Sequence, residues 1–171
     1  MGMARGDEEF AEFVRVSSAR LTHAAYLLTG DRHQAEDAAQ TAFTRTYAAW
    51  SRVRHKDAYG YARTVLVNHV IDGWRRPIRE YATEAMPERP DRLDVDKAVT
   101  QRAWLTAVLK KLTDRERSVV VLRHFFDLPE ADVARELGVS LGTVKSTNSR
   151  ALAKLRVEVG PEDTLIGGSG R

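Results

Sequence analysis

The sequence predicts an all-α fold: two small helical domains joined by a flexible acidic linker. Three observations carry that expectation. Apolar side chains recur at three- and four-residue steps along nearly the whole chain, the spacing that lines one face of an α-helix, and nowhere alternate as in a strand. The pattern lapses between residues 78 and 97, where "IREYATEAMPERPDRLDVDK" holds two prolines, many acidic residues and few clustered apolar ones, a composition suited to a tether rather than a core. Helix-start and helix-stop residues punctuate the apolar runs on both sides. At 171 residues the chain accommodates two small domains. We divide it into an N-terminal extension (1–7), a three- to four-helix domain (8–77), the linker (78–97), a helix-turn-helix domain (98–157) and a disordered, Gly-rich tail (158–171).

Each element has its own signal. Phe10, Phe13, Val14, Leu21, Ala24, Ala25 and Leu28 form the stripe of the first helix, and Gly30 ends it with a left-handed cap. Asp31 begins the second helix, with Gln34 at capping-box spacing. That helix is expected to place Ala35, Ala38, Ala39, Ala42, Phe43, Tyr47 and Trp50 on one face. A polar, basic loop, "SRVRHKDAYG", follows. The third helix carries Leu66, Val67, Val70, Ile71 and Trp74 and stops at Arg75-Arg76-Pro77, because proline disfavours helical geometry in the residue before it. Beyond the linker, Val99, Ala103, Leu105, Val108, Leu109 and Leu112 lead into Thr113-Asp114-Arg115-Glu116, a second capping box. Val119, Leu122 and Phe126 continue the spacing, and a short helix with Val133, Ala134 and Leu137 follows Leu128-Pro129.

The stretch "ELGVSLGTVKSTNSRALAKLR", residues 136–156, then turns sharply between two helices. Gly138 supplies the backbone freedom of the turn, and Ser140 is placed to cap the next helix, a contribution of roughly 1 kcal/mol. Val144, Ala151 and Leu155 point inward, while Lys145, Ser146, Ser149, Arg150 and Lys154 share the opposite flank. A helix of that kind suits the DNA major groove, with its N-terminal end, at Gly142 and Thr143, favouring a phosphate.

Composition excludes other classes. There is no cysteine, hence no disulfide or thiolate chemistry, and no apolar run long enough to span a bilayer, so the chain is expected to be soluble and cytoplasmic, without membrane insertion. His23, His33, His55, His69 and His124 lack ligand spacing, and no phosphate loop or nucleophile elbow is present. Glu36-Asp37 is a carboxylate pair, but adjacent helix residues face different ways. We therefore expect no enzyme, no cofactor and no metal.

Two segments carry a resemblance to a known family. "DRHQAEDAAQTAFTRTYAAW" and "LTDRERSVVVLRHFFDLPEADVARELGVSLGTVKSTNSRALAKLR" are similar to the two conserved regions of bacterial extracytoplasmic-function (ECF) RNA polymerase sigma factors, a likeness that runs from about residue 8 to 157. The resemblance implies that Asp37, Gln40, Phe43 and Tyr47 dock on the clamp helices of core RNA polymerase's largest subunits, with the flap as a further contact. It implies that "YARTVLVNHVIDGWRR" opens the promoter's minus-ten element, Asn68 meeting an extruded base, Arg54, His55, Lys56 and Tyr59 forming the other wall, and Arg75 and Arg76 on phosphates. In the C-terminal domain it assigns minus-thirty-five recognition to Lys145, Ser146, Ser149 and Arg150, with Thr143 and Arg117 on phosphates. It also admits an anti-sigma factor as a partner.

This chain departs from the family at Leu141, often acidic or small there, and at Asn148, usually apolar. Buried without partners, an Asn costs roughly 1–3 kcal/mol, so Asn148 is expected to be partly exposed or hydrogen-bonded. The acidic linker suits either a basic polymerase channel or simple tethering. The competing reading is a helix-turn-helix regulator that acts without docking on polymerase. The C-terminal half permits it, and "AEDAAQ" beside a basic, base-stacking loop argues against it.

Overall fold

The structure, a computed structural model, describes residues 4–76 and 97–159, the side chains of 97–100 excepted. Of the expected linker (78–97) and tail (158–171), residues 78–96 and 160–171 lie outside the described residues, whereas Lys97 opens α5 and Glu158 and Val159 belong to the last turn of α8, where Glu158 pairs with Lys111 at 2.6 Å. Every regular element among the described residues is helical: α1 (Arg5–Thr29), α2 (Arg32–Ala48), α3 (Trp50–Val53), α4 (Ala58–Arg75), α5 (Lys97–Leu109), α6 (Asp114–Val120), a π-helical turn (Val121–Phe125), α7 (Glu130–Leu137) and α8 (Leu141–Val159). Two compact units divide between Thr106 and Ala107, inside α5. The first helix starts at Arg5, within the stretch expected as an extension.

In the first unit α1, α2 and α4 pack on one another. Leu21, Ala24, Ala25 and Leu28 of α1 meet the alanines 35, 38, 39 and 42 of α2 and Ala62, Leu66, Val67 and Val70 of α4, all buried. A helix whose inner face is alanine lets its neighbours approach closely. The Gly30 cap forms as expected, at φ 67°, and Asp31 accepts from the Gln34 N–H at 2.9 Å. Arg76 is extended ahead of Pro77, which closes α4 where the sequence says.

Two expectations for this unit need correction. The inner face of α2 takes Thr46 in place of Tyr47, which is 51% exposed; the buried hydroxyl of Thr46 is satisfied by donating to the Ala42 carbonyl at 2.6 Å. The polar stretch after Trp50 is mostly helical rather than a loop. Trp50–Val53 makes one turn, and α4 opens at Ala58, capped by Asp57, whose Oδ1 accepts from the Gly60 N–H at 2.8 Å. A Cβ on Gly60 would collide with the Asp57 carboxylate, so any other residue there would displace this cap. Trp50, Val53 and Ala58 form a second small core, covered by Phe10, Phe13 and Tyr61.

In the second unit the Thr113 capping box is complete: Glu116 N–H donates to Thr113 Oγ1 at 3.2 Å and Thr113 N–H to Glu116 Oε1 at 2.9 Å. The same Oε1 accepts from Lys154 Nζ of α8 at 2.7 Å. Burial alone would raise the Glu116 carboxyl, but the bonds from Lys154 and Thr113 outweigh it and hold it below its ordinary range. The apolar spacing through Val119 and Leu122 runs on into a π turn, closed by the Phe126 N–H on the Val121 carbonyl at 3.0 Å. Asp127 follows in the left-handed region, at φ 59°. The next turn uses Gly138, at φ 65°, and the Val139 N–H bonds back to the Ala134 carbonyl at 3.1 Å. Ser140 Oγ then accepts from the Thr143 N–H at 3.1 Å and starts α8, which buries Val144, Thr147 and Ala151.

Candidate nucleic-acid interface

The helix-turn-helix fixes the pose of α8, and with it the exposed flank opposite Val144 and Ala151. Lys145, Ser146, Ser149 and Arg150 are all exposed on it. Ser146 Oγ donates to the Thr143 carbonyl at 3.1 Å, and Arg150 leans on Thr147 Oγ1 at 3.4 Å. Thr143 is half-buried, its hydroxyl 2.8 Å from that of Ser140 in the first turn. Asn148 meets both of its expected conditions: it is half-buried and its Oδ1 accepts from His124 Nε2–H at 2.9 Å. Two cations of the sequence reading are engaged within the fold. Lys154 serves Glu116, and Arg117, expected on a phosphate, is buried with its guanidinium 2.6 Å from Asp114. A side chain so enclosed has little surface to offer a phosphate.

In the first unit Asn68 stands exposed on α4, and His55 and Lys56 are exposed in the bend that precedes it. Arg54 is half-buried and ion-paired with Glu9 of α1 at 2.9 Å, so it is not the free wall residue expected. Tyr59 lies in the first turn of α4 rather than in a loop; burial pushes its phenol up, against the pull of Arg20 and Arg63. Arg75 and Arg76 are exposed at the end of α4. Nearby, the Arg52 guanidinium sits over the Tyr61 ring at 5.7 Å.

A third surface runs along α2. Asp37 and Gln40 are exposed, Tyr47 half-exposed and Phe43 half-buried. Neighbouring helices hold this strip at three points. Tyr47 donates to Asp7 Oδ1 of α1 at 2.8 Å and its ring lies tilted against Phe10, centroids 4.9 Å apart, while Phe43 meets Phe13 edge-on at 6.0 Å. The bond to Asp7 raises the Tyr47 hydroxyl above its ordinary value. On α4, His69 Nε2 lies 3.1 Å from Asp37 Oδ2. Asp7, Glu9, His69 and His124 were not legible as site residues, because each acts on a side chain more than twenty residues away.

Residues 13–79 match the family model of Sigma-70 region 2, and residues 102–155 that of Sigma-70, region 4. The chain is 30% identical over 143 residues to the ECF RNA polymerase sigma factor ShbA of Streptomyces griseus, covering 75% of this chain and 74% of that one. It is 43% identical over 160 residues to the RNA polymerase sigma-E factor of Streptomyces coelicolor, covering 91% of this chain and 88% of that one. The chain belongs to the ECF family of RNA polymerase sigma factors. The fold of this sigma factor is also that of RpoE from Bartonella quintana, solved with the anti-sigma factor NepR (TM-score 0.65, 20% identity, 94% of this chain and 99% of that one). The region 2 match contains every polymerase and minus-ten candidate of this sigma factor, and the region 4 match every minus-thirty-five candidate. A regulator that does without polymerase is not favoured, since the region 2 match lies outside the helix-turn-helix.

Proposed function

We propose that this sigma factor docks on the clamp helices of core RNA polymerase through Asp37, Gln40 and Tyr47 of α2, with Phe43 as an anchor shared with its own fold. From that platform α4 offers Asn68 to an extruded base of the minus-ten element, with His55, Lys56 and Tyr59 beside it and Arg75 and Arg76 on phosphates. Extrusion costs a few kcal/mol, which amide hydrogen bonds and stacking offset. The C-terminal unit meets the flap and reads the minus-thirty-five element through Lys145, Ser146, Ser149 and Arg150, with Thr143 at a phosphate. The protein acts in the cytoplasm as an initiation factor without chemistry of its own. No helix among the described residues is long and apolar enough to cross a membrane. An anti-sigma factor of the kind bound to RpoE is a further partner.

One observation carries the docking assignment: α2 keeps a carboxylate, an amide and an aromatic ring exposed on the unit that also exposes Asn68. A rigid helix face of that chemistry is what a partner's helices can recognise. The test is titration of the full chain into core polymerase. Asp37→Ala with Gln40→Ala should weaken assembly by about tenfold, or roughly 1.4 kcal/mol, without lowering the melting temperature. Normal assembly by the double variant places docking elsewhere.

Asn68→Ala should separate two steps of initiation. Closed-complex binding, read by electrophoretic mobility, stays within about twofold, while the melted bubble, read by permanganate reactivity, falls by about tenfold. Equal loss in both readouts contradicts the base-pocket role.

A further inference from the structure

The docking and melting roles fall on different helices, Asp37 on α2 and Asn68 on α4, and His69 stands between them. A carboxylate oxygen accepts, so in the 3.1 Å contact His69 Nε2–H donates and Asp37 Oδ2 accepts. The Asp37 side chain is 70% exposed, and alone it would exchange among its rotamers in water. The imidazole is only 33% exposed and is followed on α4 by the buried Val70, so the more constrained partner is the histidine. A half-buried position beside an apolar core is filled better by an aliphatic side chain. What an imidazole adds there is its donor.

We infer that His69 is a positioning residue for polymerase docking: it holds the Asp37 carboxylate in place and so ties the docking strip of α2 to the promoter-reading helix α4. This rests on the assignment of Asp37 to docking. A carboxylate fixed before the partner arrives loses less rotamer freedom on binding, and affinity rises accordingly. Exposed pairs of this kind are weak, so the gain is about threefold to fivefold in the dissociation constant.

A double-mutant cycle tests it, using the full chain titrated into core polymerase, with thermal melting of each variant alongside. His69→Ala and His69→Leu, the latter keeping apolar bulk without a donor, should each weaken assembly about threefold to fivefold. His69→Gln, whose side-chain amide can reach the same carboxylate, should restore most of it. In an Asp37→Ala background, His69→Leu should change nothing further. Additive losses in that background, or a His69→Leu variant that assembles normally while Asp37→Ala does not, overturn the inference and leave the docking assignment standing. Normal assembly by Asp37→Ala overturns both.

Discussion

Replacing Lys145 and Arg150 together by alanine weakens binding of the reconstituted holoenzyme to promoter DNA by tens of fold and flattens its dependence on salt. Each cation that neutralises a phosphate releases counterions, worth a slope of roughly 0.9 in log affinity against log salt. Losing both lowers the slope by about 1.8, which at roughly 0.1 M salt corresponds to the loss stated. Both side chains are exposed on α8, and neither is held by a carboxylate in any contact described above. The measurement is filter binding or anisotropy across a salt series. An unchanged slope together with unchanged affinity in the double variant would falsify α8 as the DNA face. Reduced affinity at an unchanged slope would instead assign these residues to base edges.

Leu28→Ala has the largest expected effect on stability. Leu28 is fully buried at the end of α1, one turn beyond Ala24 and Ala25, where the inner faces of α1 and α2 meet. Truncation removes three methyl-sized groups and leaves a cavity that packed helices cannot wholly close, a loss of about 2–5 kcal/mol. That is a large part of what a small helical domain has. Melting followed by circular dichroism should show the first unit's transition displaced to lower temperature and the second unit's unmoved, because each unit has its own core. Core-polymerase binding should fall with the first transition, since α2 and α4 present their surfaces only while packed on α1. A single transition shifted as a whole would show that the two units melt as one.

Punctuation was the most legible part of the fold. Gly30, Asp31, Thr113, Gly138 and Ser140 each do what their chemistry requires locally, and local requirements can be read from neighbouring letters. Faces were harder to read. Tyr47 and Thr46 are adjacent, and the apolar ring is exposed while the small polar residue is buried, because the groove between close-packed helices has room for a threonine that bonds its own helix. Of the basic residues after Trp50, Arg54, His55 and Lys56 do lie in the bend between α3 and α4, whereas the helical turn holding Arg52 was missed because an exposed turn of helix is as polar as a loop. The exposed flank of α8 was legible for the converse reason: polar letters on an amphipathic helix mark its solvent side, and Lys145, Ser146, Ser149 and Arg150 all lie there. The fates of Arg54 and Arg117 were not, since the acids that hold them are set by how helices fold back, or by a rotamer choice within one turn.

The bond from Lys154 to Glu116 has a consequence for how tightly this protein holds chromosomal DNA by itself. One of the positive charges near the end of α8 is already satisfied by a buried acid, so the helix offers fewer free charges than its spelling suggests. While that bond stands, about one power of ionic-strength dependence is withheld from any duplex the helix touches. The isolated factor would then hold random duplex somewhat less tightly, and with a shallower response to ionic strength, than the count of basic letters in the helix implies.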